Sequence, residues 1–197
     1  MKYFYLTISS ILVAYLVIIV FIYFYQRNLL YHPTENNYQN SESKFNYEEV
    51  HIKVENKIEL KSWFIEKDLK KMKTLLIFHG NAGDLSNRIY KLNELNKLDI
   101  NILLISWRGF SGNNGSPTEK NLYKDAKAAV KWLNEKKVSN KQIILYGESL
   151  GTGVAVEIAQ KDKFNSIILE SPFTSIENSA KIYYPYLPVR LLLKDRY

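Results

Sequence analysis

Ser149 is the residue of this sequence with the clearest capacity for chemistry. It lies in the stretch Gly147-Glu148-Ser149-Leu150-Gly151, which matches the pattern G-x-S-x-G. An apolar run over residues 142–146 precedes this stretch and an apolar-periodic segment follows it. We therefore expect a tight turn from a strand into a helix, which holds the serine hydroxyl outwards as a nucleophile for acyl transfer.

A second loop is expected to meet this turn. The stretch His79-Gly80-Asn81-Ala82-Gly83 directly follows the apolar run TLLIF. Backbone N–H groups of such a loop, together with the N–H of Leu150, can bind the oxyanion that forms during acyl transfer. The two glycine-rich loops thus predict one site.

A serine hydroxyl needs a base, usually a histidine that a carboxylate orients. Where the serine lies at a strand-to-helix turn of this type, the three residues follow one another along the chain as Ser, then Asp or Glu, then His. The chain has three histidines, and all of them precede Ser149: His32, His51 and His79. We expect His79 to brace its loop, and the other two to be structural or solvated. Asp162 and Asp195 follow Ser149, but neither can orient a histidine that is absent. The sequence therefore predicts a truncated or split hydrolase with little or no activity alone.

Residues 3–25 carry no charge. At about 1.5 Å per residue, a helix of that length covers the ~30 Å hydrocarbon core of a bilayer. A cleaved signal peptide is the competing interpretation, but its apolar region is shorter and ends at small residues, whereas aromatic residues lie at both ends here. The amino terminus and Lys2 lie on one side of the span and only Arg27 lies close to it on the other, which favours a cytoplasmic N-terminus. The following domain is then non-cytoplasmic, which in a bacterium means periplasmic.

Composition allows one domain beyond this span. The chain has 197 residues, of which 46% are hydrophobic. We divide it into a transmembrane anchor (1–27), a polar stalk (28–47) and a partial catalytic domain (48–197). The net charge of +7 comes from dispersed lysines without a nucleic-acid motif, so nucleic acid is not an expected partner. The absence of cysteine excludes a disulfide scaffold.

The hydrophobic pattern of the domain changes along the chain. Val50, Ile52 and Val54 alternate with polar residues, and a second alternating run begins at Ile58, which predicts an antiparallel pair. From Thr74 onwards the apolar runs are short and continuous, and helical segments separate them, as is typical of buried parallel strands. These runs are TLLIF, INILLI, QIILY and SIILE. The predicted class is α/β.

Four motifs resemble those of membrane-anchored α/β-hydrolases of the serine-aminopeptidase-like and acyl-thioesterase-like branch: residues 79–83, 107–112, 147–151 and 170–175. The resemblance implies that Ser149 is the nucleophile and that Asn81 and Leu150 are the oxyanion donors. It implies a mixed, mainly parallel sheet that lacks its last strands, because the acid and the histidine come later in the family. Ser106-Trp107 departs from the Asp-Tyr that relatives commonly have.

The same resemblance implies a small acyl ester, thioester or peptide substrate, with no metal and no cofactor. A separately encoded C-terminal fragment is an expected partner of a split enzyme. Two other classes stay open. One is a non-catalytic, membrane-anchored interaction protein. The other is a dinucleotide-binding domain, because Gly147, Gly151 and Gly153 lie at a strand-to-helix turn and Glu170 ends the next strand.

Overall fold

A six-stranded mixed sheet forms the centre of the molecule in the computed structural model, which describes residues 1–34 and 43–197. Its strands are β2 (Glu48–Glu55), β3 (Ile58–Ile65), β4 (Thr74–Phe78), β6 (Asn101–Ile105), β7 (Ile143–Glu148) and β8 (Ser166–Glu170). The order is β2-β3-β6-β4-β7-β8. β2 and β3 are antiparallel to their neighbours, and the other pairs are parallel. The predicted mixed, mainly parallel sheet is confirmed.

Helices cover both faces of this sheet, which explains why β4 and β6 are continuously apolar. The helices are α1 (Lys2–Leu30), α2 (Ile89–Leu95), α3 (Glu119–Glu135), α4 (Leu150–Ala159), α5 (Ile176–Tyr183) and α6 (Val189–Leu192). α3 and α4 pack on one face of the sheet, and α2 with the 3-10 turn Leu85–Arg88 packs on the other. Every residue of β4 and β6 is buried as a result.

The helix α1 is long and apolar enough to cross a membrane. It continues to Leu30, beyond the predicted anchor boundary at residue 27. The chain then joins the domain, because Tyr31 is buried in the core and the short strand β1 (His32–Pro33) pairs with β5 (Ala82–Gly83). Of the predicted stalk, residues 35–42 lie outside the described residues.

β8 lies at one edge of the described sheet, and its apolar side chains are partly open to solvent. Ile167, Ile168 and Leu169 are 39%, 45% and 38% exposed. An apolar edge strand of this kind is a template for further strand pairing, which proteins normally cover or blunt with charge.

A buried ion pair fixes the loop that follows β6. Both Arg108 and Asp125 are buried, and the Arg108 Nη2 to Asp125 Oδ1 distance is 2.6 Å. The Arg108 Nε and backbone N–H also donate to this carboxylate, at 2.9 and 3.1 Å. The loop is thereby attached to α3. Burial raises the pKa of Asp125, although its hydrogen bonds with Arg108 act in the opposite direction.

We predict that Asp125→Ala lowers the free energy of unfolding by about 3–5 kcal/mol, because it removes three hydrogen bonds and leaves the buried Arg108 paired with the more exposed Glu55 (2.6 Å). Denaturation in detergent, followed by tryptophan fluorescence, measures this loss. The matched control is Glu135→Ala on the same helix, which removes an exposed pair with Lys131 (3.7 Å) and should cost under about 0.5 kcal/mol. Equal losses in the two variants would contradict the prediction.

Candidate active site

Ser149 lies between the last residue of β7 and the first residue of α4, as the sequence predicts. Its backbone has φ 49° and ψ −114°, a conformation that costs a non-glycine residue free energy. Two sets of hydrogen bonds hold it there. The Ser149 N–H donates to the Glu170 carbonyl at 2.9 Å, and the Thr152 N–H and hydroxyl donate to the Ser149 carbonyl at 2.9 and 2.6 Å. The serine is therefore held in a strained turn from both sides.

The glycines on either side of Ser149 are needed for close backbone approach. A Cβ at Gly151 would lie 2.0 Å from the Phe78 carbonyl oxygen, so α4 could not sit against the end of β4. A Cβ at Gly147 would lie 2.6 Å from the Gly151 carbonyl oxygen. Any side chain at either position would push the helix away from the strands that it covers.

The loop over residues 79–83 lies beside the serine because β4 and β7 are paired with Phe78 opposite Gly147. A Cβ on Gly80 would be 3.5 Å from the Ser149 Cβ, which is ordinary contact distance. Asn81 comes next in the loop, and its side chain donates to the Leu30 carbonyl at 2.7 Å. The loop is thus fixed between the serine and the end of α1.

Leu150 and Gly83, the other two predicted site residues, lie at different distances along the chain from the serine. Leu150 is the first residue of α4, where a backbone N–H has no acceptor within its own helix. It can therefore point at an oxyanion. Gly83 has φ 84° and lies at the far end of its loop, where a Cβ would clash with the Asn87 side chain. The positive φ of Gly83 thus allows the chain to enter the 3-10 turn Leu85–Arg88.

His79 braces the loop and is unsuited to act as a base. Its ring is buried, with Nδ1 2.8 Å from the Gly80 carbonyl oxygen. The Trp107 backbone N–H donates to its Nε2 at 3.4 Å, and the Trp107 indole N–H donates to the His79 carbonyl at 3.0 Å. Burial, reinforced by the nearby Arg88 charge, lowers the pKa of His79 well below its usual value. Of these two contacts, the one from the indole depends on the tryptophan that stands where relatives commonly have tyrosine.

The other histidines and the two later aspartates have separate surroundings. The His32 Nε2 lies 3.0 Å from the Leu29 carbonyl oxygen, and the His51 Nε2 lies 3.7 Å from Glu49 Oε1. Asp162 is exposed beyond the end of α4. Asp195 is buried against Arg27 (3.0 Å) at the end of α1. None of the histidine contacts that the structure gives in its described ranges reaches Ser149.

Sequence reasoning missed a cluster of charged and phenolic side chains beside the serine. Its members are Arg88, Lys91, Tyr146, Glu148 and Glu170. Lys91 bridges the two carboxylates: its Nζ is 2.7 Å from Glu148 Oε2 and also contacts Glu170. Arg88 lies 3.1 Å from Glu148 Oε1, and the Tyr146 hydroxyl donates to Glu170. The signal was the pair of acids at the ends of two adjacent apolar runs, because a nearby cation favours the ionised form of both.

The charges in this cluster neutralise one another. Partial burial alone would lower the pKa of Lys91, but its hydrogen bonds with Glu148 and Glu170 outweigh burial and raise it. Hydrogen bonds from Lys91 and then Tyr146 lower the pKa of Glu170. Lys91 therefore stays protonated and Glu170 stays ionised near neutral pH, so neither is adapted to exchange a proton with the serine at that pH.

The chain belongs to the α/β hydrolase fold family, whose sequence pattern matches residues 73–191. An uncharacterised Mycobacterium tuberculosis protein, Rv2307c, is 35% identical over 91% of this chain and 65% of its own length. The lysophosphatidylserine lipase ABHD12 of Danio rerio is 32% identical over 64% of this chain and 36% of its own. A Saccharomyces cerevisiae membrane protein, YNL320W, is 30% identical over 84% and 61%.

A solved structure shows the same fold. The Pyrococcus furiosus esterase PF2001 superposes with a TM-score of 0.62 at 24% identity, over 82% of this chain and 64% of the esterase. The chain thus spans about two thirds of the length of the mycobacterial protein and of this esterase.

We predict that Ser149→Gly is more stable than Ser149→Ala by about 1 kcal/mol, because glycine adopts a positive φ without strain and alanine does not. Thermal denaturation in detergent measures the difference without depending on activity. Ser166, in the extended backbone of β8, is the matched control. There the alanine variant should be more stable by about 0.5 kcal/mol. The same order at both positions would show that the turn at Ser149 is unstrained.

Proposed function

We propose that this chain carries the nucleophilic half of a membrane-anchored serine hydrolase, with Ser149 as the nucleophile. The observation that carries the proposal is the strained backbone of Ser149 (φ 49°) at a strand-to-helix turn. Strain of this kind persists only where the surrounding structure over-determines it, and it is concentrated at active sites. Family membership and fold similarity to an esterase support the same class of reaction.

The proposed reaction is acyl transfer to water. The Ser149 hydroxyl attacks the carbonyl carbon of an ester, a thioester or a short peptide, and its proton passes to a base. The tetrahedral intermediate then collapses, and the bond to the leaving alcohol, thiol or amine breaks as that group takes the proton from the base. Water next attacks the acyl-serine, which releases the carboxylic acid and restores the Ser149 hydroxyl. The developing oxyanion accepts hydrogen bonds from the backbone N–H groups of Leu150 and Asn81. Two contacts keep the Asn81 segment in place: its side chain donates to Leu30, and its carbonyl accepts from the His32 N–H at 2.8 Å. An oxyanion site works best when its donors are fixed in this way.

The base is the missing part of this proposal. His79, the histidine in the loop beside the serine, is held by Gly80 and Trp107. In a well-studied serine protease, loss of the triad histidine lowers turnover by about a millionfold, which is roughly 8 kcal/mol of barrier. We therefore propose that these 197 residues bind and orient a substrate but hydrolyse it very slowly.

The exposed edge of β8 indicates where a base and its carboxylate would enter. Strands that pair with β8 extend the parallel part of the sheet, and their carboxyl ends lie at the same edge as Ser149. Glu170 ends β8, and its carbonyl already accepts the Ser149 N–H. We propose that polypeptide outside residues 1–197 supplies the acid and the histidine on such strands, either as a separately encoded fragment or in the same chain.

Two other functions have less support. If the chain were a binding protein without catalytic activity, it would not need the missing base. That function gives no reason for the strained backbone at Ser149. Dinucleotide binding would need a free acidic side chain at the end of β8 to bind a ribose. The Glu170 carboxylate is already engaged by Lys91 and Tyr146.

We propose that α1 is an uncleaved single-pass anchor and that the domain lies on the non-cytoplasmic side. The two positive charges of the amino terminus and Lys2, against the single charge of Arg27 at the other end, favour this orientation. Attachment of the helix to the domain supports retention of the anchor, because Arg27 pairs with the buried Asp195. Cleavage near residue 27 would leave that carboxylate buried without this partner.

We predict that the purified chain hydrolyses p-nitrophenyl acetate at a rate close to that of its own Ser149→Ala variant, because none of the histidine contacts in the described part of the chain reaches the serine. A fluorophosphonate probe should likewise label the chain slowly. Mass spectrometry of the labelled peptide, with an active serine esterase as the positive control, provides the measurement. Rapid stoichiometric labelling at Ser149 would show that a base is present within these residues and would refute the missing-base argument.

We also predict that co-expression with a C-terminal fragment of an α/β hydrolase relative, carrying that protein's acid and histidine, increases esterase activity at least about a hundredfold. A positioned base contributes 10²–10⁴-fold. Ile168→Lys should weaken the gain by placing a charge on the β8 edge, whereas Lys163→Ala, on the exposed turn before β8, should not. A gain of activity that survives Ser149→Ala would rule out Ser149 as the nucleophile of the combined site.

A further inference from the structure

The helices α5 and α6 lie along one face of α1. Partly shielded residues recur on this helix at helical spacing: Ile19, Ile22, Gln26 and Leu30. The Gln26 side chain donates to the Leu192 carbonyl at 3.0 Å and accepts from the Lys194 N–H at 2.8 Å. The end of α1 is thus joined to the segment after α6 through hydrogen bonds.

The turn that follows α5 reaches further along α1, towards its middle. The Tyr15 hydroxyl donates to the Tyr186 carbonyl at 2.7 Å. Tyr15 and Arg27 are twelve residues apart, which is about 18 Å along a helix. The turn therefore lies about halfway down a helix that is long enough to span a bilayer.

The turn is apolar and aromatic where it faces away from the protein. We call residues 182–187, Ile-Tyr-Tyr-Pro-Tyr-Leu, the apolar tip. Ile182, Tyr183 and Tyr186 are 78%, 75% and 66% exposed. An apolar cavity of about 130 Å³ separates the tip and α6 from α1, with walls that include Ile22, Tyr184 and Leu187. This surface is suited to contact with lipid rather than water.

Part of the backbone of the apolar tip meets the requirement that a bilayer imposes on polar groups, which is that each has a hydrogen-bond partner within the protein. Pro185 has no N–H, and neither has Pro188, which follows the tip. The Tyr184 and Leu187 N–H groups donate to the Ala180 and Tyr184 carbonyls, at 2.8 and 3.1 Å. The Tyr186 carbonyl accepts the hydroxyl of Tyr15, as described above. Several polar groups that would otherwise be costly in hydrocarbon therefore have partners or are absent.

The basic side chain of Lys194 lies where the lipid headgroups would be. Residues 176–197 contain four basic side chains and two acidic ones. Lys194 Nζ lies 4.1 Å from the centre of the Tyr23 ring and 5.3 Å from that of Phe24, at the end of the apolar part of α1. Aromatic rings and a lysine at this level are typical of a membrane interface.

We propose that the apolar tip inserts into the bilayer beside α1 and forms a second membrane contact of the domain. The proposal rests on α1 being inserted in the membrane, and it is independent of catalysis at Ser149. Its occupant is the lipid bilayer, which the continuity of the tip with the exposed surface of α1 and the position of Lys194 beside Tyr23 and Phe24 both favour. The insertion holds the end of α1, and the Asn81 loop attached to it, against the membrane surface.

The test uses the full chain in vesicles that contain phosphatidylcholine and phosphatidylglycerol. Because the chain has no cysteine, single cysteines can carry nitroxide labels without other changes. Ile182→Cys and Tyr183→Cys report on the tip. Leu16→Cys reports on α1. Tyr90→Cys, on α2 and 67% exposed, reports on the water-facing surface of the domain. The measured quantity is the collision rate of each label with oxygen and with a water-soluble nickel chelate.

We expect both tip labels to resemble the Leu16 label, with at least a threefold higher ratio of oxygen to nickel collisions than the Tyr90 label. Tip labels that match Tyr90 while the Leu16 label is in lipid would overturn the proposal. Tip labels shielded from both reagents would also overturn it, since they would show cover by protein, such as a second copy. A Leu16 label in water would remove the premise and the proposal together. Esterase activity does not enter any of these outcomes.

Discussion

The direct packing of the N-terminal turn of α4 on the end of β4 is the constraint on which the site depends. Gly151 approaches the Phe78 carbonyl so closely that a Cβ would lie 2.0 Å from it. Since β7 pairs with β4 and leads straight into α4, the chain has a single residue in which to turn. Ser149 is the residue whose backbone is strained by that turn, and its side chain consequently lies beside Gly80.

Charge balance is a second constraint on the same edge of the sheet. Parallel pairing places Glu148 opposite Glu170, and Lys91 from α2 lies between the two carboxylates. This arrangement ties α2 to the edge that carries Ser149. It also engages both carboxylates in contacts with Lys91, so the fold keeps them as structural partners.

The helix α1 is connected to the site through short contacts. Its last residue, Leu30, accepts a hydrogen bond from Asn81, and β1 then pairs with β5 in the same loop. Asp195 adds a further link, because it pairs with Arg27 and accepts the backbone N–H of Glu119 at the start of α3 at 3.1 Å. A substrate that reaches Ser149 therefore does so close to the end of the helix that we propose as the membrane anchor.

The sequence by itself determined the α/β class, the apolar helix, and the turn at Ser149, because continuous apolar runs, an uncharged stretch and G-x-S-x-G are local patterns with local physical causes. Tertiary structure decided the rest. The bracing of His79 by Trp107, the bridge through Lys91 and the attachment of Asn81 to Leu30 join residues far apart in the chain. No periodicity encodes such contacts, since they arise only when strand register and helix packing bring those residues to one edge of the sheet.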